Sequence, residues 1–416
     1  MDTKQKKLIR NSIAGIIGNV MEWYDFAVFG FLAPIITLQF FPNDTPLVGL
    51  IKTYGIFATG YLMRPLGGLF FGYIGDKLGR KKALIISIFM MAIPTVLIGL
   101  LPTFKDIGIY AAFLMILFRI IQGLSVGGEL IGSISFMSEI SSHKHKGFLS
   151  SLTFGSAIGG LLLGSTVVSI LTNILGDKTM DSWGWRIPFL LGIFILLIGL
   201  WLREKMTESP QFLSIQEHNT QQPLHTTLLK YKHRILHLSA IISLTTITSY
   251  ILFVWVPTFL STIVKHHIHN ALTINTISMI VLLFSIPLAG YLSDIYNRKK
   301  IVIYATIVMI LTIYPIFMVF QHGTYYTVLI AQILFAIIVG FLQGPIPALM
   351  SDMFPTHIRY TSMGIGYNFS VALLGGTAPA VATWLVEITG NLYAPAFYII
   401  FFAIISLIAI IKVKEL

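Results

Sequence analysis

Apolar residues along the chain come in runs of roughly 20, each long enough to cross the hydrocarbon core of a bilayer as an α-helix and each closed by a polar turn. Twelve runs fall near 12–39, 50–75, 83–101, 109–138, 148–174, 186–202, 236–263, 273–293, 300–320, 326–351, 361–387 and 393–411. Several are long enough to tilt, and many carry Gly or Pro, which a helical bundle tolerates when neighbouring helices satisfy the freed backbone groups. Helical hairpins fit the pattern better than a barrel. The expected fold is an all-α integral membrane protein of twelve transmembrane helices.

Composition agrees with that pattern: 55% of the 416 residues are apolar and 11% are charged, against about a quarter charged in soluble domains. The formal charge of +11 suggests nucleic acid until the cations are located. They punctuate the hydrophobic runs instead of gathering on one patch, so no nucleic-acid partner is expected; the partner is the lipid bilayer. With a cytoplasmic N-terminus, 21 of the 28 Lys and Arg fall in segments on the inner side, five in outer loops, and Arg64 and Arg119 within spans. This is the positive-inside asymmetry, and it places both termini in the cytoplasm. The chain has no cysteine, which excludes disulfides, Cys-zinc sites and thiol chemistry. Lys4, Lys6, Lys7 and Arg10 precede an apolar stretch as in a signal peptide, but no small-residue cleavage site follows, so this is a retained first span.

The longest hydrophilic stretch, 203–234, contains Pro210 and Pro223 and is expected to be a cytoplasmic central linker between two six-helix bundles, residues 1–202 and 235–416. The bundles repeat one another. Gly72-Tyr-Ile-Gly-Asp76-Lys-Leu-Gly79-Arg80-Lys81-Lys82 follows the second run, and Gly290-Tyr-Leu-Ser-Asp294-Ile-Tyr-Asn297-Arg298-Lys299-Lys300 follows the eighth at the same spacing. Met137-Ser138-Glu139, with Lys146 seven residues after the acid, is echoed by Met350-Ser351-Asp352 with Arg359. The offsets are 218 and 213 residues, so the halves are pseudo-symmetric, and a duplicated fold of this kind puts its binding site between the halves.

At these residues the chain resembles the major facilitator superfamily: the Gly-x-x-x-Asp-x-x-Gly-Arg-Lys turn and Arg119-Ile-Ile-Gln122-Gly123 match two of its signatures. Gly18-Asn-Val-Met-Glu22-Trp-Tyr-Asp25-Phe, Arg64-Pro-Leu-Gly-Gly68, Gln122-Gly-Leu-Ser-Val-Gly-Gly-Glu129, Gly184-Trp-Arg186-Ile-Pro-Phe189 and Phe354-Pro-Thr-His-Ile-Arg359-Tyr narrow it. Together they resemble the metabolite:proton symporter family, whose members carry proline and betaine, 2-oxoglutarate, citrate, shikimate and similar solutes. The resemblance covers essentially the whole chain. It implies proton-coupled symport of a small polar solute by alternating access, no cofactor, a monomeric functional unit and a bacterial inner membrane. Asn297 stands where the family has Gly, which suggests a looser second turn. The sequence stops at Leu416 without the coiled-coil tail of some osmosensing relatives, and osmosensing of that type is not expected.

The repeated turns have a physical task. Gly72 and Gly79 permit close helix approach and a tight turn, while Asp76 accepts hydrogen bonds or pairs with Arg80. Glu139 and Asp352, at the inner ends of the fourth and tenth runs, are partners for the basic residues of the turns. The set Gly72, Asp76, Gly79, Arg80, Glu139, Asp294, Arg298, Asp352 and Arg359 is therefore the candidate cytoplasmic gate.

Ionisable residues inside spans are costly and mark a solute path or a proton relay. Glu22 and Asp25 share one face of the first helix, with Glu22 about 16 Å from its start; Glu129 lies about 15 Å from the inner end of the fourth. Arg119 stands about 15 Å further out and Arg64 is mid-span in the second run. All five lie in the N-terminal half, and the proton carrier is expected among Glu22, Asp25 and Glu129, with Arg64 and Arg119 modulating it. Static buried pairs, such as Asp25 with Arg64, are the competing reading. A substrate carboxylate has Arg119 as its candidate anchor. Aromatic and amide groups supply the rest of the candidate binding set: Trp23, Tyr24, Tyr250, Phe253, Trp255, Tyr367 and Asn368, suited to a quaternary ammonium by cation–π attraction and to a carboxylate or hydroxyl by Asn.

His266, His267 and His269 lack Cys or acidic neighbours to complete a metal site. The absence of a phosphate loop, dinucleotide fingerprint and nucleophile constellation makes the chain a carrier and not an enzyme. Its substrate is a small molecule moved with protons. The aromatics favour a proline- or betaine-like osmolyte; two buried arginines and Gly375-Gly376 with Pro379 keep a di- or tricarboxylate open, and a proton-driven drug exporter is the remaining competitor.

Overall fold

The computed structural model describes residues 3–209, 212–214, 224–264 and 271–413. The loop at 265–270 with His266, His267 and His269, and the part of the linker with Pro210 and Pro223, lie outside the described residues. Helix dominates because the bilayer leaves a spanning segment no other way to pair its backbone. We number the spanning helices α1 (Thr3–Phe31), α2 (Pro46–Lys77), α3 (Arg80–Leu100), α4 (Tyr110–Ile140), α5 (Lys146–Leu175) and α6 (Arg186–Glu204). Then follow α7 (Leu224–Tyr250), α8 (Ala271–Tyr296), α9 (Arg298–His322), α10 (Tyr325–Asp352), α11 (Arg359–Thr389) and α12 (Ala394–Lys412). Among the described residues ten helices are long and apolar enough to cross a membrane. An eleventh span is α1 continued, after a 65° bend, by Ala33–Phe40, and the 32-residue α2 makes the twelfth. The bend is the main feature of the first span that hydropathy does not signal. Pro34 opens the second segment, where its missing N–H costs nothing.

Packing divides the chain into two units. The first comprises Met1–Ile140 and Ser156–Gln221, the second Ser141–Gly155 and Gln222–Leu416. In the first, α2 and α4 approach until backbone meets backbone: a methyl on Gly123 would strike the Gly60 carbonyl, and one on Gly127 the Arg64 carbonyl and the Gly68 amide. Small residues are what permit such contact in lipid. Gly160 and Gly164 of α5 lie equally close to Val20 and Tyr24 of α1, whereas nothing approaches Gly159. Phe29, Phe40, Met115, Trp185 and Phe189 form one apolar cluster, and Met21, Phe26, Ile88 and Met91 a second.

The second unit repeats the approach of α2 to α4 in that of α8 to α10. Gly340 meets Ser285, and Gly344 meets the Ile286 carbonyl and Ala289. The 213-residue offset takes Gly127 to Gly340, so the duplication extends from the inner turns into the packing. The span begun by α7 runs on past Tyr250 into a wide π-helical turn, Ile251–Trp255, and α11 contains another, Val371–Gly375. Gly375 seats the Tyr250 ring against the second of these.

Candidate functional site

Gly18, Glu22 and Asp25 follow one another on a single face of α1 at helical spacing, over about 10 Å. Each faces buried charge. Beside Gly18 stand the Glu129 carboxylate of α4 and the Arg203 guanidinium at the end of α6. Arg203 donates to both Glu129 oxygens, to the Leu84 carbonyl and to the Ala14 carbonyl at 3.2 Å, while Ser87 of α3 donates to Glu129 Oε2. Glu22 stands 4.0 Å from Arg64 of α2, and neither Glu22 oxygen accepts a hydrogen bond from the described residues. Arg64 also lies 5.6 Å from the Tyr61 ring. Asp25 accepts a 2.7 Å bond from Arg119 Nη1. The Arg119 guanidinium is further enclosed by aromatic rings: Phe29 at 3.8 Å, Phe57 at 5.6 Å and Phe26 at 5.8 Å. All of these acids and arginines are buried. Asp25 thus pairs with Arg119, and Arg64 lies nearest Glu22.

The remaining candidates fall into two groups. Trp23, Tyr250 and Phe253 are half-buried, which leaves part of each ring accessible. Tyr24 is buried with its hydroxyl donating to the Pro188 carbonyl at 2.6 Å, so it ties α1 to α6. Trp255 stacks on Phe259 with centroids 4.5 Å apart and donates to Thr383 at 2.9 Å. Tyr367 packs at 6.2 Å from Phe154, and Asn368 donates to the Gly364 carbonyl at 2.9 Å. Nearby in the second unit lies an amide network with no place in the sequence reading. Gln332 donates to Asn275 Oδ1 and Ser278 Oγ, both at 3.2 Å, and Asn275 donates to the Phe253 carbonyl at 3.4 Å.

At the inner end of the first unit, Arg80 donates to Asp76 at 2.9 Å and to Glu139 at 3.2 Å. Glu208 accepts from the Arg80 and Lys81 amides, both at 3.1 Å, filling the exposed N–H groups at the start of α3. In the second unit Arg298 donates to Asp352 at 2.7 Å and to Asp294 at 3.2 Å. Lys146 also pairs with Asp352, and Asp294 accepts from the amides of Gly147 and Phe148 at the start of α5, at 2.6 and 2.9 Å. Arg359 donates to the Ser351 and Phe354 carbonyls. The substitution of Asn297 does not loosen this turn. Its φ of 81° and ψ of 124° follow the positive φ and extended ψ of Gly79, 105° and 158°, a conformation that strains any side chain, and its side chain caps α9 by accepting from Lys299 N at 3.0 Å.

Sequence reasoning missed Arg203, Ser87, Glu208 and the Gln332 network, and named Lys146 in the repeat without its pairing to Asp352. Arg203 was hidden by position: at the edge of a hydropathic run it counts as a linker cation. The one signal for it is Glu129, a buried acid that needs a counter-ion.

Two sets of six spans with duplicated inner turns and duplicated small-residue packing define the major facilitator fold. Solved structures agree: the chain superposes on the proton:xylose symporter XylE with a TM-score of 0.79 at 19% identity, covering 98% of this chain and 95% of that one. A D-xylose-proton symporter gives 0.66 at 20% identity, covering 97% of each. The family model described as sugar (and other) transporter matches residues 11–226, and that of the major facilitator superfamily matches 259–414. A glycine betaine/proline/ectoine/pipecolic acid transporter of Dickeya dadantii is 37% identical over 97% of this chain and 82% of its own length. Proline/betaine transporters of Salmonella typhimurium and Escherichia coli are 37% and 36% identical over 98% of this chain and 84% of their own. The chain belongs to the metabolite:proton symporter family of the major facilitator superfamily.

Proposed function

We propose that this protein is a secondary transporter that carries a proline- or betaine-like osmolyte together with protons, and that Glu22 is the acid that loads the proton. One observation carries the second part. Of the three candidate acids, Asp25 and Glu129 accept hydrogen bonds from arginines, whereas Glu22 accepts none from the described residues and has its nearest cation at 4.0 Å. A carboxylate in low dielectric keeps its charge when donors fill its oxygens; one without donors exchanges its proton at least cost. The solute class is supported by the names of relatives that match over nearly all of this chain. Arg119 gives Nη1 to Asp25 while its Nε and Nη2 have no hydrogen-bond partner among the described residues, so it keeps donors for the carboxylate of such a zwitterion. The half-buried rings of Trp23, Tyr250 and Phe253 are the surfaces we assign to the solute's cationic end.

The cation asymmetry supports a cytoplasmic position for both termini, the bacterial transporters among the relatives support an inner-membrane location, and the family resemblance alone implies a monomer as the functional unit. The arginine–carboxylate pairs of the inner turns act as the cytoplasmic gate. The test is uptake into proteoliposomes under an imposed inward proton gradient, comparing proline and glycine betaine with 2-oxoglutarate and citrate. Accumulation of the first pair, abolished by a protonophore, is expected. Accumulation of the carboxylates alone overturns the solute assignment, and outward movement of solute under the same gradient overturns symport.

A further inference from the structure

Arg203 lies outside the proton site proposed above, yet it is wholly buried and all three of its guanidinium nitrogens donate. It joins α1, α3, α4 and α6 at one node. Gly18 makes room for that node, since a side chain there would collide with the Glu129 carboxylate and the Arg203 guanidinium. Glu22 is one helical turn further along the same face, about 6 Å away along the axis. A buried acid whose two oxygens are filled by an arginine and a serine is held ionised, and the paired charges nearly cancel at a distance.

We propose that Arg203 is a positioning residue for proton coupling: it holds Glu129 as a permanent anion, neutralises it, and so sets the pH at which Glu22 takes up and gives back its proton. Glu129 then balances charge and carries no proton. This inference rests on the reading of Glu22 as the carrier. The charged and titratable groups around Glu22 are Arg64 and Tyr61 from α2, Glu129 and Arg119 from α4, Arg203 from α6, and Tyr24 and Asp25 from α1 itself. Beyond Lys82, α3 has no titratable side chain, and neither has the part of α5 from Ser156 onward.

Removing one member of the pair exposes the charge of the other. A unit charge about 10 Å away at an effective dielectric of about 20 shifts proton binding by about one pH unit. The two single variants therefore move Glu22 in opposite directions, which a purely structural role does not produce.

The experiment is a pH titration of the protonated-carboxyl infrared band in reconstituted protein, which needs no solute. The band should vanish in Glu22→Gln. Its midpoint should fall by about one pH unit in Glu129→Gln. In Arg203→Gln it should rise, or a second band from Glu129 should appear; either outcome identifies Arg203 as the group that keeps Glu129 charged. Arg203→Lys and the double variant Glu129→Gln/Arg203→Gln should both return the wild-type midpoint. They decide the matter if Arg203→Gln does not fold: a displaced midpoint in both overturns the proposal. Midpoints that stay fixed or move together in the single variants, or a wild-type band that vanishes in Glu129→Gln, overturn it as well. A band that survives in Glu22→Gln overturns instead the reading of Glu22 on which it rests.

Discussion

In the first unit Arg119 and Asp25 form a buried ion pair between α4 and α1. At the corresponding place of the second unit, 213 residues on, Gln332 gives its amide protons to Asn275 and Ser278. The same offset takes Gln122 to Phe335 and Glu129 to Leu342, and none of Glu22, Asp25 and Glu129 has an acidic counterpart inside α7 or α10. The contact of α2 with α4 is nevertheless reproduced by α8 with α10, and the arginine of each inner turn pairs with two carboxylates in both units. Duplication has kept what packs helices and closes the cytoplasmic turns, while among the described residues the costly buried charge at mid-span persists in the first unit only. Charge inside a membrane protein is retained where it does work, so the comparison supports the proposal that proton handling belongs to the first unit and neutral, orienting contacts to the second.

The largest expected effect tests this division. Arg119→Leu leaves Asp25 buried without its cation, a loss of about 3–5 kcal/mol. Gln332→Leu removes neutral hydrogen bonds and costs about 1–2 kcal/mol. Unfolding midpoints of the two variants in detergent should separate clearly, and equal losses would break the comparison. A smaller difference is expected for packing. Gly127→Ala drives a methyl into the backbone of α2, whereas Gly340→Ala meets chiefly the Ser285 side chain. Both overpack, at about 1–3 kcal/mol, with Gly127 at the upper end. Expression and midpoint of the pair rank the two contacts.

The smallest effect concerns the outer connections. In the first unit Thr103 and Asp106 form a reciprocal cap, the Asp106 carboxylate accepting from the Thr103 amide at 2.8 Å and hydroxyl at 3.0 Å. These bonds hold the Asp106 carboxyl below its ordinary value, the backbone bond first. In the second unit Thr324 and Thr327 share a hydroxyl contact at 3.3 Å and have no charge to lose. A depressed carboxyl contributes stability that is fully present above its unfolded value and disappears as pH falls through its folded value. Acidification into the carboxylate range should therefore loosen the turn at 103–107 and leave that at 324–327 unchanged, as read by amide exchange. Asp106→Asn should abolish the difference in response.

Much of this was legible in the sequence because the bilayer imposes it. The spans follow from hydropathy, and the repeated turns from spacing alone. What was not legible depends on tertiary partners. Hydropathy cannot tell whether Arg203 belongs to a loop or closes a buried node, since it stands where a run ends. The partner of Asp25 is set by helix rotation, which brought Arg119 and not Arg64 to it. Nor does residue type distinguish a ring that packs, as Trp255 does against Phe259, from one that keeps an accessible face, as Phe253 does. Asn297 seemed a weakened glycine, because only the backbone angle reveals that Asn serves the same turn and adds a cap.

The central claim, that Glu22 loads the proton, is tested most directly by Glu22→Gln in proteoliposomes. Counterflow exchange of proline or glycine betaine should persist, while accumulation driven by an imposed proton gradient should be lost. Gradient-driven accumulation at the wild-type level would contradict the account.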